Sequence, residues 1–154
     1  LWAQAGRAEL QLGDAERVRL CAQRCRDLDP RYGACTWLLG QSGLDQLERS
    51  GLSGAERARR LESLGEHLKR AARAQWYNDP DGQAAAAAQA AAAMLATNRL
   101  GEGFEMALLA VSKAPDLLPA RRLLLEARER MGDAAGAEAE REAVRRLEAA
   151  ARPQ

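Results

Sequence analysis

The chain has 154 residues, enough for one domain with a buried core and short for two. Its 23 Lys and Arg stand against 22 Asp and Glu, which excludes attraction to nucleic acid or to an anionic membrane driven by net charge. Aromatic residues make up only 4%, Ile is absent, and Ala, Leu, Arg and Glu dominate, so an all-helical protein follows.

The first unit, Trp2 to Pro30, reads as two helices joined by a tight turn. A helix over Leu1–Leu12 carries Gly6 where a neighbouring backbone must approach closely. Gly13 closes that helix in the left-handed conformation and Asp14 caps the next. The second helix, Ala15–Leu28, sets Val18, Ala22 and Cys25 on one packing stripe, and Asp29-Pro30 ends it. Trp2, Gly6, Gly13, Val18, Cys25 and Pro30 keep the spacing of a tetratricopeptide repeat, and the chain resembles that family.

One period of about 34 residues further on, Tyr32–Leu47 forms the first helix of a second unit, with Leu39-Gly40 at the family's Leu-Gly positions and Trp37 one place late relative to Trp2. The spacing then breaks, because Pro30 and Pro80 are 50 residues apart. The extra length, 51–75, is helical: Ser53-Gly54-Ala55-Glu56 reads as a capping box. Ala58, Leu61, Leu64, Leu68 and Trp76 then recur at helical steps. Gly65 leaves open whether this is one helix or two. The outer face of the segment carries Arg59, Arg60, Lys69, Arg70 and Arg73, read either as a solvated face or as a contact for an acidic partner or RNA. Trp76 and Tyr77, followed by Asn78-Asp79-Pro80-Asp81-Gly82, read as an aromatic pair packed over a turn, with an exposed hot spot as the alternative.

A third unit opens with Gly82–Ala96, nearly pure alanine and glutamine, a thin helix able to pack on two neighbours at once. In the helix that follows, Gly103, Ala107 and Ala110 take the small-residue positions and Asn98 replaces the turn glycine. A fourth unit starts near Leu118, with Pro119 in the first turn and Gly132-Asp133 repeating Gly13-Asp14. Its last helix, Ala134–Ala150, has an apolar stripe of Ala137, Val144 and Leu147, and a Glu142–Arg146 pair is expected on its polar faces. Arg152-Pro153-Gln154 reads as a frayed terminus or a cut edge.

The resemblance implies one domain over 1–154, a right-handed α-α superhelix of about four helix pairs. The units run 1–31, 32–80 with the helical insert 51–75, 81–116 and 117–150. It further implies a concave groove, lined by the first helix of each pair, that binds a protein or peptide partner or other subunits of a complex. Projected onto this chain, the groove positions are Arg7 and Leu10, then Trp37, Gln41 and Leu44, then Gln89 and Ala92, then Arg122, Glu126 and Arg130. Chaperone-binding members grip a terminal carboxylate with a clamp of cations and asparagines. Ala3, Arg7 and Gln41 at the matching positions here do not form one.

No chemistry of catalysis is expected. The single histidine, His67, lies on a charge-rich helix and reads as a surface residue, no nucleophile–base pair can be nominated, and Gly101-Glu102-Gly103 sits at a helix turn. Cys21, Cys25 and Cys35 are an odd, small number implying no disulfide framework. They read as packing residues, with no metal and no cofactor, and unpaired thiols favour a reducing compartment, the cytoplasm. No window of about 18 apolar residues spans a membrane. The opening inside a repeat, without Met or a signal peptide, reads as a fragment. The leading expectation is an interaction scaffold. The alternatives are a nucleic-acid module using the basic inserted helix, and a terminal structural segment of a longer repeat protein or of a larger, membrane-anchored one.

Overall fold

Eight α-helices follow one another in the computed structural model, which describes residues 1–151. They are α1 (Trp2–Leu12), α2 (Ala15–Leu28), α3 (Gly33–Arg49), α4 (Gly54–Arg73), α5 (Pro80–Ala96), α6 (Leu100–Lys113), α7 (Leu118–Met131) and α8 (Ala134–Ala150). The expected frayed end at Arg152-Pro153-Gln154 lies outside the described residues. Each helix packs on the next, and α1 also meets α3, α3 meets α5 and α5 meets α7. Among the described residues no two even-numbered helices pack to a comparable extent. The odd-numbered helices therefore form a contiguous row.

Local chemistry fixes most of the joints. Gly13 and Gly132 adopt φ of 76° and 77°, a conformation that costs glycine nothing. The following Asp14 and Asp133 accept hydrogen bonds from the N–H groups of Arg17 and Gly136, at 3.0 and 2.9 Å. Asn98 stands in for glycine at φ 62°, and Pro119 sits in the first turn of α7. The capping box at Ser53 does not form. Gly54 enters α4 at φ 59° and the serine hydroxyl makes no cap hydrogen bond, so the local turn differs from the one the motif requires. On α8, Arg145 pairs with Glu142 at 2.9 Å, and Arg146 does not take the expected role.

Small residues decide how closely the helices approach. A Cβ on Gly6 would lie 2.5 Å from Leu38 Cδ1, one on Gly40 2.6 Å from Leu68 Cδ2, and one on Gly103 2.7 Å from Leu95 Cδ2. The insert is a single, unbroken helix. Gly65 is buried within it where α4 approaches Ala93 of α5, and thus serves as a packing contact rather than a hinge. The alanine helix α5 is central: Ala86, Ala87, Ala90 and Ala91 are fully buried between α4, α6 and α7, in a core with Leu68, Met94, Met106 and Leu124. Two smaller clusters, around Cys35 and around Leu38, hold α1, α2 and α3 together.

The cysteine expectation is corrected. Cys25 and Cys35 form a disulfide, with their Cα atoms 5.5 Å apart, and only Cys21 is a free, buried thiol. The turn at Asp29-Pro30 folds α3 back along α2, which brings together two residues that the helical spacing of Cys21 and Cys25 conceals. The argument from unpaired thiols to a reducing compartment loses its premise. The aromatic pair divides. Trp76 is half-buried, donates its indole N–H to the Ala71 carbonyl at 2.8 Å and meets Tyr32 edge-on. Tyr77 is exposed and donates its hydroxyl to Asp29 at 2.9 Å. Beneath them the Gly33 N–H bonds to the Gln75 carbonyl and the Gln75 N–H to the Arg31 carbonyl, tying the α2–α3 turn to the end of α4.

Candidate functional site

A concavity of about 420 Å³ opens on the odd-numbered row. Helix α1 contributes Arg7, Leu10 and Gln11, α3 contributes Trp37, Gln41 and Asp45, and α5 contributes Gln89. These positions recur at three- and four-residue steps, so each helix turns one stripe toward the cleft. On α5 that stripe is Ala85, Gln89, Ala92 and Ala96, the positions left accessible while the rest of the helix is largely buried.

Trp37 is the centre of the site. Its ring is half-buried against the core, and the Arg7 guanidinium carbon lies 5.3 Å from the ring centroid, within cation–π range. The indole N–H donates to Gln89 Oε1 at 2.7 Å, the Gln89 amide donates to Gln41 Oε1, and the Gln41 amide donates to Asp45 Oδ1 at 3.0 Å. This chain of donors running toward one carboxylate is mutually polarising and holds α3 and α5 in register. Arg7 is itself fixed by Asp79 at 2.5 Å, across from α1 to the start of α5. Burial pushes the Asp79 carboxyl up, but the Arg7 guanidinium and the Gly82 N–H outweigh it and hold it below its ordinary value. The lining holds no Ser, Cys, His or Lys. What it offers is an apolar ring face, a fixed cation and amide groups able to pair with a peptide backbone.

The structure thus brings Arg7, Trp37 and Gln41 together with Gln89, and keeps Leu44 partly buried beside the core. It does not bring Arg122, Glu126 and Arg130 into that cluster. Arg122 pairs with Glu148 of α8 at 2.6 Å. Arg130 donates to the Leu95 carbonyl at 2.8 Å and to Asn98 at 3.0 Å, satisfying the end of α5, and pairs with Glu126 at 3.1 Å. Its guanidinium is committed to the fold.

The basic face on α4 is likewise divided. Lys69 is held between Glu66 at 3.0 Å and Glu102 at 2.5 Å, and Arg99 bridges the same two carboxylates. Hydrogen bonds from Arg99 and Lys69 hold Glu102 down to about 2. Arg73 pairs with Glu105 at 2.9 Å. Among the described residues Arg59, Arg60 and Arg70 have no carboxylate partner, although Arg59 and Arg70 make long contacts to backbone carbonyls of their own helix. His67, expected on the surface, is half-buried, with Nε2 3.1 Å from the Thr36 carbonyl.

No family model and no curated protein matches the chain. Sequence reasoning passed over Asp79 and Asp45. Asp79 read only as a turn residue, although it caps α5 and fixes Arg7. Asp45 stands four residues beyond Gln41 on the same helix face, a spacing that could have placed it in the groove. Among the described residues no three His, Cys, Asp or Glu side chains converge as a metal ion would require.

Proposed function

We propose that the chain is a tetratricopeptide-like helical-repeat scaffold that holds an extended segment of a protein partner against α1, α3 and α5. The supporting observation is the fixed Arg7–Trp37–Gln89–Gln41 cluster, in which a half-buried indole and oriented amides face an open cleft. Aromatic and arginine side chains held rigid beside apolar surface are the usual anchors of protein recognition, because little conformational entropy is lost on binding. The arrangement of the odd-numbered helices as a contiguous row is consistent with the inner surface of such a repeat. The role proposed is binding without catalysis.

The test is selection of peptides from a displayed library against the wild-type chain, followed by affinity measurement with variants. Gln89→Ala and Trp37→Phe are expected to weaken the selected peptides about tenfold or more, consistent with loss of one or two well-made hydrogen bonds. Arg122→Gln is expected to leave them within twofold. Failure to select any peptide, or equal affinity in all four proteins, overturns the groove assignment.

The nucleic-acid reading ranks second. It rests on Arg59, Arg60 and Arg70, since Lys69 and Arg73 are engaged by glutamates. Binding of RNA or DNA that falls steeply with salt and disappears on charge reversal at those three arginines would favour it.

A further inference from the structure

A second concavity, of about 540 Å³, lies away from the groove, between α2, the start of α3 and α4. Arg26, Arg31 and Arg70 line it from three different segments, with His67 and Thr36 beside them. Among the described residues none of the three arginines is paired with a carboxylate. Arg26 donates to Gln23 at 3.0 Å, and Arg70 has only a 3.4 Å contact to the Glu66 carbonyl, so most of their N–H groups remain free. The one carboxylate in the lining, Asp27, is engaged by the Gln23 amide at 2.7 Å. The surrounding half of the molecule reinforces this: residues 1–78 hold 13 Arg and Lys against 10 Asp and Glu, an excess that the remainder reverses.

The walls are anchored. The disulfide joins Cys25 and Cys35, the residues directly before Arg26 and Thr36, so it sets α2 against α3 at the cleft. The His67–Thr36 contact then sets α4 against α3. Three arginines lining one depression can offer charge-assisted hydrogen bonds to a dianion, whose oxygens accept several at once. Arg59 and Arg60, by contrast, lie outside the lining.

We propose that this cleft is an anion site that binds a phosphate monoester, held by Arg26, Arg31 and Arg70. The phosphate comes either from a small phosphorylated molecule or from a phosphorylated side chain of a partner. The site is separate from the peptide groove and stands whether or not the groove reading holds.

Calorimetric titration of the intact chain tests it, with inorganic phosphate and a phosphoserine hexapeptide as probes and the unphosphorylated hexapeptide as control. Saturable binding of a phosphorylated probe is expected, weakened at least tenfold in Arg26→Gln/Arg70→Gln. It should change less than twofold in Arg59→Gln/Arg60→Gln, which removes the same charge from outside the cleft. A peptide at least tenfold tighter than inorganic phosphate assigns the phosphate to a partner chain, and comparable affinities assign it to a small molecule. Circular dichroism of both double variants checks that they fold. Absence of saturable binding, equal loss in the two double variants, or equal binding of the unphosphorylated peptide overturns the proposal.

Discussion

Gly33 and Gly101 show how one chemical change acquires opposite signs from its surroundings. A Cβ on Gly33 would lie 2.2 Å from Trp76 Nε1 and 2.6 Å from the Ala71 carbonyl oxygen, between the two partners of a hydrogen bond. Gly33→Ala is therefore expected to push the indole off its acceptor and to disturb the Gly33–Gln75 backbone bond, costing roughly 2–4 kcal/mol from overpacking and an unpaired buried group. Gly101 lies in α6 with nothing within 4 Å of its Cβ position, so Gly101→Ala should stabilise by roughly 0.5–1 kcal/mol through helix propensity alone. Urea denaturation of the two variants checks both signs. A Gly33→Ala loss below about 1 kcal/mol would mean that Trp76 moves freely, against its role as the pin between turns.

At the scale of elements, the disulfide between α2 and α3 closes a loop with a sequence separation of 10. Loop-closure entropy for such a span predicts stabilisation of roughly 2–3 kcal/mol, lost when the bond is reduced. Urea curves with and without a phosphine reductant measure it, and coincident curves would show that α2 and α3 are held by the Val18–Leu38 packing alone. This bond also marks where reading the sequence fails. Helix ends such as Gly13-Asp14, Asn98 and Gly132-Asp133 were legible, because each depends on backbone conformation and a partner within a few residues. Arg7, Trp37, Gln41 and Gln89 came from projecting the repeat pattern that the chain resembles, and the structure brings them to one concavity. Cys25 with Cys35, Gly33 with Trp76 and His67 with Thr36 were not, because the angle at which one helix folds back on another selects those pairs. The capping box failed for the converse reason: a local motif was present, but the left-handed Gly54 sets a different entry into α4.

Across the whole molecule, charge ties distant helices together and makes stability depend on pH in two separable steps. The carboxylates of Glu66 and Glu102 join α4 to α6, and Asp79 joins α5 to α1, all with pKa values lowered by their arginine and lysine partners. Each binds protons less readily folded than unfolded, so its contribution is present above the ordinary carboxylate range and is lost as pH falls, for Glu102 toward about 2. His67 acts at higher pH. Burial first, then the charges of Arg70 and Arg26, lower its pKa against the opposing Thr36 carbonyl, so the folded state favours the neutral ring. That stabilisation is complete above the unfolded value of 6.5 and is lost as pH falls from there toward the lower folded pKa. Because His67 is the only histidine, it alone among side chains has an ordinary pKa in this window. The urea midpoint in phosphate-free buffer is therefore expected to decline between about pH 7 and 5, where the His67→Gln midpoint should stay flat. Glu102→Gln should instead retain the upper step and flatten the fall below the ordinary glutamate value of 4.5. A wild-type midpoint unchanged between about pH 7 and 5, or an equal slope in His67→Gln, would show that the ring is solvated in both states. The seating of α4 on Thr36 through His67 would then be wrong.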